Sequence, residues 1–197
     1  MASELILSKE RSALVVVDMQ ETFLEPIKVR GLIERNIQLL MQIAQQLGVP
    51  ALATTQNAEK LGGMVPALQE VPGVPVFNKL CFSCWQEEVF AKALQESGCQ
   101  QVLLTGVEAH ICVMQTALDL IEAGYQVHIP YDAVASRNKR DWKYALYRLQ
   151  SGGAIITSVE SAIYEWLRAA GTEEFRQVLP LLKAHMSPQR ESSEETE

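Results

Sequence analysis

Six short apolar runs recur along the chain, at residues 13–17, 51–54, 74–77, 102–105, 126–129 and 154–157. They are continuously apolar rather than alternating, the pattern of parallel strands covered on both faces. Between them the period changes to that of a helix. Ile33, Ile37, Leu40, Ala44 and Leu47 fall on one helical face, and Gly48 supplies a C-terminal stop. The same pattern predicts helices over about 84–97, 111–123 and 139–151, ended by Gly98, Gly124 and Gly152-Gly153. Thr157-x-x-Glu160 resembles a capping box that opens a helix through Arg168, and a last helix is expected from Thr172 to about His185.

Strand–helix alternation over six strands implies a doubly wound, mostly parallel sheet with helices on both faces, one three-layer α/β domain. The rhythm breaks at residues 57–73, where Gly62-Gly63, Pro66, Pro72 and Gly73 mark a long connection, a common place for function. A domain over residues 1–186 and a polar, acidic, disordered tail over 187–197 are expected. The chain has 197 residues, 48% of them hydrophobic and 21% charged, as in a globular protein with a sizeable core. No apolar run approaches the roughly 18 residues that span a bilayer, so no membrane partner is expected. The first ten residues lack the basic segment and long apolar core of a secretory leader, and cytoplasmic residence is the expectation.

Net charge is −7, of which the tail supplies −3 through Arg190 against Glu191, Glu194, Glu195 and Glu197. Lysines and arginines form no stripe, so nucleic acid is not an expected partner. Four cysteines, Cys81, Cys84, Cys99 and Cys112, read as free thiols in a cytoplasmic protein. Cys81-x-x-Cys84 has the spacing of a redox or zinc motif, but zinc needs two further ligands, and His110, His128 and His185 are scattered singly. No metal and no cofactor are expected.

Ligands of open α/β sheets bind beyond the carboxyl ends of the strands, which selects a short set of residues. Asp18 ends the first run, where partial desolvation suits a carboxylate to proton transfer; a helix-capping role fits it equally. Lys79 follows the third run and needs an anionic partner there, in catalysis or in a salt bridge on the sheet rim. Cys112 follows the fourth run and opens the next predicted helix. The helix dipole and a nearby ammonium would stabilise its thiolate, and first-turn N–H groups would hold an oxyanion. A small buried hydrophobe is the alternative for this cysteine. Taken together, the three form a coherent nucleophile, base and orienter.

At these positions the chain resembles a known family. Val16-Val17-Asp18-Met19-Gln20, Asn78-Lys79-x-x-Phe82-Ser83 and Leu104-Thr105-Gly106-Val107-Glu108-Ala109-His110-Ile111-Cys112-Val113 are similar to the three signature segments of the isochorismatase-like cysteine hydrolases. The likeness is greatest to the isochorismatase domain-containing subgroup, which Tyr131-Asp132-Ala133-x-x-Ser136-Arg137 also resembles. The resemblance implies Asp18 as general base, Lys79 as orienting group and Cys112 as nucleophile. It further implies a cis peptide between Val107 and Glu108, an oxyanion hole from the amides of Glu108 and Cys112, and a six-stranded parallel sheet of order 3-2-1-4-5-6. Nicotinamidases of the family carry an Asp and two His as metal ligands after the second strand. Here that region reads Thr54-Thr55-Gln56-Asn57-Ala58-Glu59, without histidine, which argues against metal and against nicotinamide. Isochorismatase proper lacks the cysteine, so Cys112 also argues against isochorismate.

Phe23, Gln56, Phe82, Trp85, His110 and Ile111 lie near the same strand ends and are the expected substrate-lining residues. The expected function is hydrolysis of a C–N, amide-like bond of a small molecule through a thioester on Cys112. The rival is a catalytically idle or redox-sensing member that binds a metabolite or partner. The family likeness suggests a homo-oligomer, a dimer or tetramer in which neighbours close each pocket.

Overall fold

The computed structural model describes residues 5–186, so the tail expected at 187–197 lies outside the described residues. The first strand, β1 (Ser12–Val17), leads into α1 (Glu21–Leu24) and α2 (Arg30–Leu47). Next come β2 (Ala51–Gln56), the short helices α3 (Ala58–Leu61) and α4 (Pro66–Gln69), and β3 (Val76–Lys79). A 3-10 turn (Cys84–Gln86) and α5 (Glu88–Glu96) precede β4 (Gln101–Val107). A π-helical turn (Ala109–Val113) runs into α6 (Met114–Glu122), followed by β5 (Gln126–Pro130), β6 (Val134–Ala135) and α7 (Lys139–Ser151). The last elements are β7 (Ile155–Thr157), α8 (Val159–Leu167) and α9 (Glu173–Met186).

Six strands form a parallel path of order β3-β2-β1-β4-β5-β7. This is the doubly wound order expected, with β7 as the sixth principal strand. The addition is β6, whose two residues pair with Gly106 and Val107 at the end of β4. A two-residue strand is too short to leave a periodic signal. Two other differences are local. Glu87 has extended backbone (φ −88°, ψ 109°), which divides the helix expected over 84–97 into the 3-10 turn and α5. Ser158, not Thr157, caps α8: its hydroxyl accepts from the Ser161 N–H at 3.1 Å, while Thr157 pairs with Pro130 in the sheet.

The continuous apolarity of β1 has a direct cause, because successive side chains enter different cores. Leu14 and Val16 join Ile37 and Leu40 of α2, Trp166 of α8 and Leu182 of α9. Ala13, Val15 and Val17 join Phe90 of α5, Leu120 of α6 and Leu149 of α7 on the opposite face. Where β1 and β4 end side by side, Gly106 adopts φ 111°, and a Cβ there would lie 2.1 Å from the Val17 carbonyl oxygen. Only glycine lets the two strand ends approach this closely.

His128 of β5 is fully buried, its Nε2 3.1 Å from Gln126 Oε1, and burial pushes its imidazole down to about 4. The folded state holds it neutral while the unfolded chain takes up a proton near pH 6.5. Stability therefore falls as pH drops from about 6.5 to about 4, by up to about 3 kcal/mol. Urea unfolding at stepped pH should show this acid limb, and His128→Gln should flatten it.

Candidate active site

The carboxyl ends of β1, β2, β3 and β4 converge on one buried cluster. Directly after β1, Asp18 turns into the left-handed region at φ 51°, and its N–H donates to the Thr54 carbonyl of β2 at 3.1 Å. A bend at this point keeps the side chain at the sheet edge. The Thr54 hydroxyl donates to Asp18 Oδ1 at 2.9 Å, and Lys79 Nζ donates to Asp18 Oδ2 at 2.7 Å. Both charged side chains are fully buried. Lys79 Nζ also donates to Gln56 Oε1 at 2.7 Å and to the Cys81 carbonyl at 3.3 Å. Burial alone pulls the Lys79 ammonium downward, but the charge of Asp18, with smaller contributions from Cys84 and Cys112, outweighs it and sets the net shift upward. Lys79 is thus held charged.

Cys112 is buried, within reach of the charge of the Asp18 carboxylate. It does not open an α-helix as the sequence suggests. Val113 N–H reaches back five residues to the Glu108 carbonyl at 3.3 Å, a wider π turn, and α6 begins only at Met114. The expected thiolate is corrected as well. Burial pushes the Cys112 thiol far up and Asp18 pushes it further, while Lys79 opposes them without prevailing. The resting group is a neutral thiol, so its attack requires a base, and the Asp18 carboxylate is in place to be one.

The Val107–Glu108 peptide is cis. Glu108 is nearly buried, and its carboxylate accepts from the Arg137 N–H at 3.1 Å and lies 3.5 Å from both Arg137 Nε and His110 Nδ1. His110 Nδ1 is also 2.9 Å from Ser136 Oγ. His110 therefore braces the loop after β4, together with Ser136 and Arg137. Sequence reasoning quoted those two without giving them a place in the site.

The other residues expected to line the site divide. Gln56 joins the cluster, but both ends of its amide are bonded within the chain, to Lys79 and, through Nε2, to the Leu80 carbonyl at 2.8 Å. Phe82 lies exposed on the loop after Lys79. Ile111 is half-buried against the α5–α6–α7 core, and Phe23 packs against the opposite core. Trp85 meets Tyr125 edge-on at 5.5 Å. Thr54 and Gln20 belong to the cluster and were missed. Their signal was slight: Thr54 ends an apolar run, and Gln20 closes the first signature segment. Gln20 holds β2 by mimicking a strand, accepting from Gln56 N–H at 2.7 Å and donating to the Gln56 carbonyl at 3.0 Å.

All four cysteines are free, and burial pushes the Cys84 thiol up to about 11. Among the described residues no group of three His, Cys, Asp or Glu side chains is arranged to hold a metal. A cavity of about 560 Å³ lies beside the cluster rather than over it, lined by Val29, Leu32, Tyr131, Ser136, Arg137 and Trp142 among others. It meets the site only through Ser136 and Arg137, which brace Glu108 and His110.

The doubly wound parallel sheet gathers a carboxylate, an ammonium and a thiol at its carboxyl edge, and the comparisons with known proteins define the class, that of the isochorismatase-like hydrolases. The Isochorismatase domain model matches residues 12–161, and the chain belongs to the isochorismatase family. It is 39% identical over 189 residues to the secreted isochorismatase effector Isc1 of Phytophthora sojae, covering 90% of this chain and 87% of that one. It is 36% identical over 182 residues to isochorismatase domain-containing protein 2 of Danio rerio, covering 92% and 91%. Among solved structures, the MAR1 ribonuclease of Caenorhabditis elegans superposes with a TM-score of 0.86 at 32% identity, covering 98% of this chain and 99% of that one.

Two outcomes are expected of this geometry. Asp18→Asn and Lys79→Met should each cost about 3–5 kcal/mol, because each leaves a buried charge unpaired, and the double variant should lose less than their sum. Chemical denaturation of the four proteins checks this. The alkylation rate of Cys112 should climb about tenfold per pH unit from pH 7 to 9 without a plateau; a plateau below pH 8 in iodoacetamide labelling would contradict the neutral resting thiol.

Proposed function

We propose that this protein is a cysteine-dependent hydrolase of an amide-like C–N bond in a small molecule, acting through a thioester on Cys112. The observation that supports the reading best is the Asp18 carboxylate, bonded to the Lys79 ammonium at 2.7 Å and near enough to the buried Cys112 thiol for its charge to act on it. As sulfur attacks the carbonyl carbon, its proton passes to Asp18, and the oxyanion is received by the N–H groups of Glu108 and Cys112. The C–N bond then breaks and the leaving nitrogen takes the proton from Asp18. Water attacks the thioester, Asp18 accepts its proton, and the acid departs as the thiol is reprotonated. Lys79 keeps its charge throughout and orients the carboxylate. Thiol, base and oxyanion donors all come from the chain, so the sequence of steps requires no metal.

The ribonuclease activity of the nematode relative is not carried over, because a net charge of −7 opposes phosphate binding. In the idle or redox-sensing alternative the neutral thiol would simply be inert. The adjacent carboxylate favours catalysis over it. Exposed Leu80 and Phe82 beside Lys79 suit coverage by a neighbouring subunit, so a dimer or tetramer is part of the proposal. The hydrolase domain is assigned to residues 1–186 and the acidic tail to 187–197. Among the described residues no helix is long and apolar enough to cross a membrane. The free thiols favour the cytoplasm, although the Phytophthora sojae relative is secreted.

A panel of small amides, with RNA included as a comparison, tests the reading. Mass spectrometry should trap an acyl adduct on Cys112 with at least one amide, and Cys112→Ala should abolish its turnover, a loss of about 10³-fold or more. Hydrolysis that persists in Cys112→Ala would sink the mechanism.

A further inference from the structure

The Lys79 ammonium has three protons and meets three acceptors: Asp18 Oδ2, Gln56 Oε1 and the Cys81 carbonyl. Two of them are equally close at 2.7 Å, and one of those two is neutral. Gln56 is paired with Lys79 in the β2–β3 ladder, so the two side chains leave the sheet on the same face. Its other amide end is anchored on the Leu80 carbonyl, and its backbone is held on both sides by Gln20. A side chain fixed at both ends, inside the protein, is not free to meet a substrate.

We propose that Gln56 is a positioning residue of the hydrolytic reaction, a neutral brace that holds the Lys79 ammonium against Asp18 and leaves Asp18 the single carboxylate bonded to that ammonium. This role rests on the hydrolase reading given above; the coupling of Gln56 to the Cys112 thiol does not. The titratable groups that face Lys79 are Asp18 from the end of β1, Cys84 from the 3-10 turn and Cys112 from the π turn. With Gln56 neutral, Asp18, Lys79 and the protonated thiol sum to zero charge. Proton transfer from Cys112 to Asp18 then moves a charge without creating one. An apolar residue at position 56 leaves one N–H of a buried ammonium unpaired and weakens the pull of Lys79 on the thiol. A carboxylate there adds a second negative charge to the cluster. Both changes make the thiol harder to ionise.

Full-length Gln56→Met and Gln56→Glu, checked for folding by circular dichroism, test this. Each is labelled with iodoacetamide from pH 7 to 10, and the Cys112 peptide is followed by mass spectrometry. Each variant should label Cys112 about tenfold more slowly than wild type at the same pH, a displacement of about one pH unit. With a hydrolysed amide, kcat should fall and KM stay nearly constant. A merely structural glutamine would lower thermal stability without moving the labelling profile. Gln56→Met carries the test by itself if the glutamate variant does not fold. A labelling profile that superposes on wild type overturns the proposal, as does a rise in KM at unchanged kcat, which would make Gln56 a substrate contact. A displaced profile in a protein that hydrolyses nothing supports the coupling and overturns the hydrolase reading alone.

Discussion

The site depends on one ion pair, Lys79 with Asp18, fully buried at the carboxyl edge of the sheet. A buried pair is not automatically stabilising, since desolvation of two charges can exceed their attraction. Here the remaining hydrogen-bonding capacity is filled: Thr54 serves the second carboxylate oxygen, while Gln56 and the Cys81 carbonyl serve the ammonium. What the pair provides is specificity of arrangement. It is satisfied only when β1, β2 and β3 end in one register, with Gln56 beside Lys79 and Asp18 N–H on the Thr54 carbonyl. A one-residue slip of β3 would turn Lys79 to the opposite face of the sheet.

The second half of the site hangs on β4. In the order β3-β2-β1-β4-β5-β7, β1 and β4 are the strands at which the winding reverses, and ligand crevices form at such switch points. Asp18 leaves one of these strands, and the loop of Glu108 and Cys112 leaves the other. Gly106 allows the two ends to meet, and the Arg137 and His110 contacts to Glu108 hold the loop that carries Cys112. Carboxylate and thiol therefore come from opposite halves of the fold. Their relation is a property of the β1–β4 contact rather than of either loop.

This division explains what was legible in the chain. Parallel strands read clearly because β1 and β4 are buried on both faces and carry almost no polar residue, and α2 read clearly because one face supplies a core. Asp18, Lys79 and Cys112 were legible because each follows an apolar run, where a polar side chain has few places to go. Gln56 was legible as a member of the site but not in its role, since a glutamine at a strand end looks the same whether it meets a ligand or a lysine. Thr54 and Gln20 left little signal because their contribution is a hydrogen bond across 36 residues of sequence in each case. The π turn at Cys112 was hidden for a different reason. Helical periodicity in residues 113–121 is the same whether the first turn is α or π.

By itself the sequence determined the doubly wound parallel sheet and the order of elements, and it singled out Asp18, Lys79 and Cys112, because periodicity and strand-end placement are local properties of the chain. Tertiary structure alone decided that Lys79 and Asp18 are paired out of water, that Gln56 braces them, and that Cys112 rests as a neutral thiol. Those outcomes depend on burial and on distances between strands far apart in sequence. Ionisation responds to both, and neither is written in any single segment.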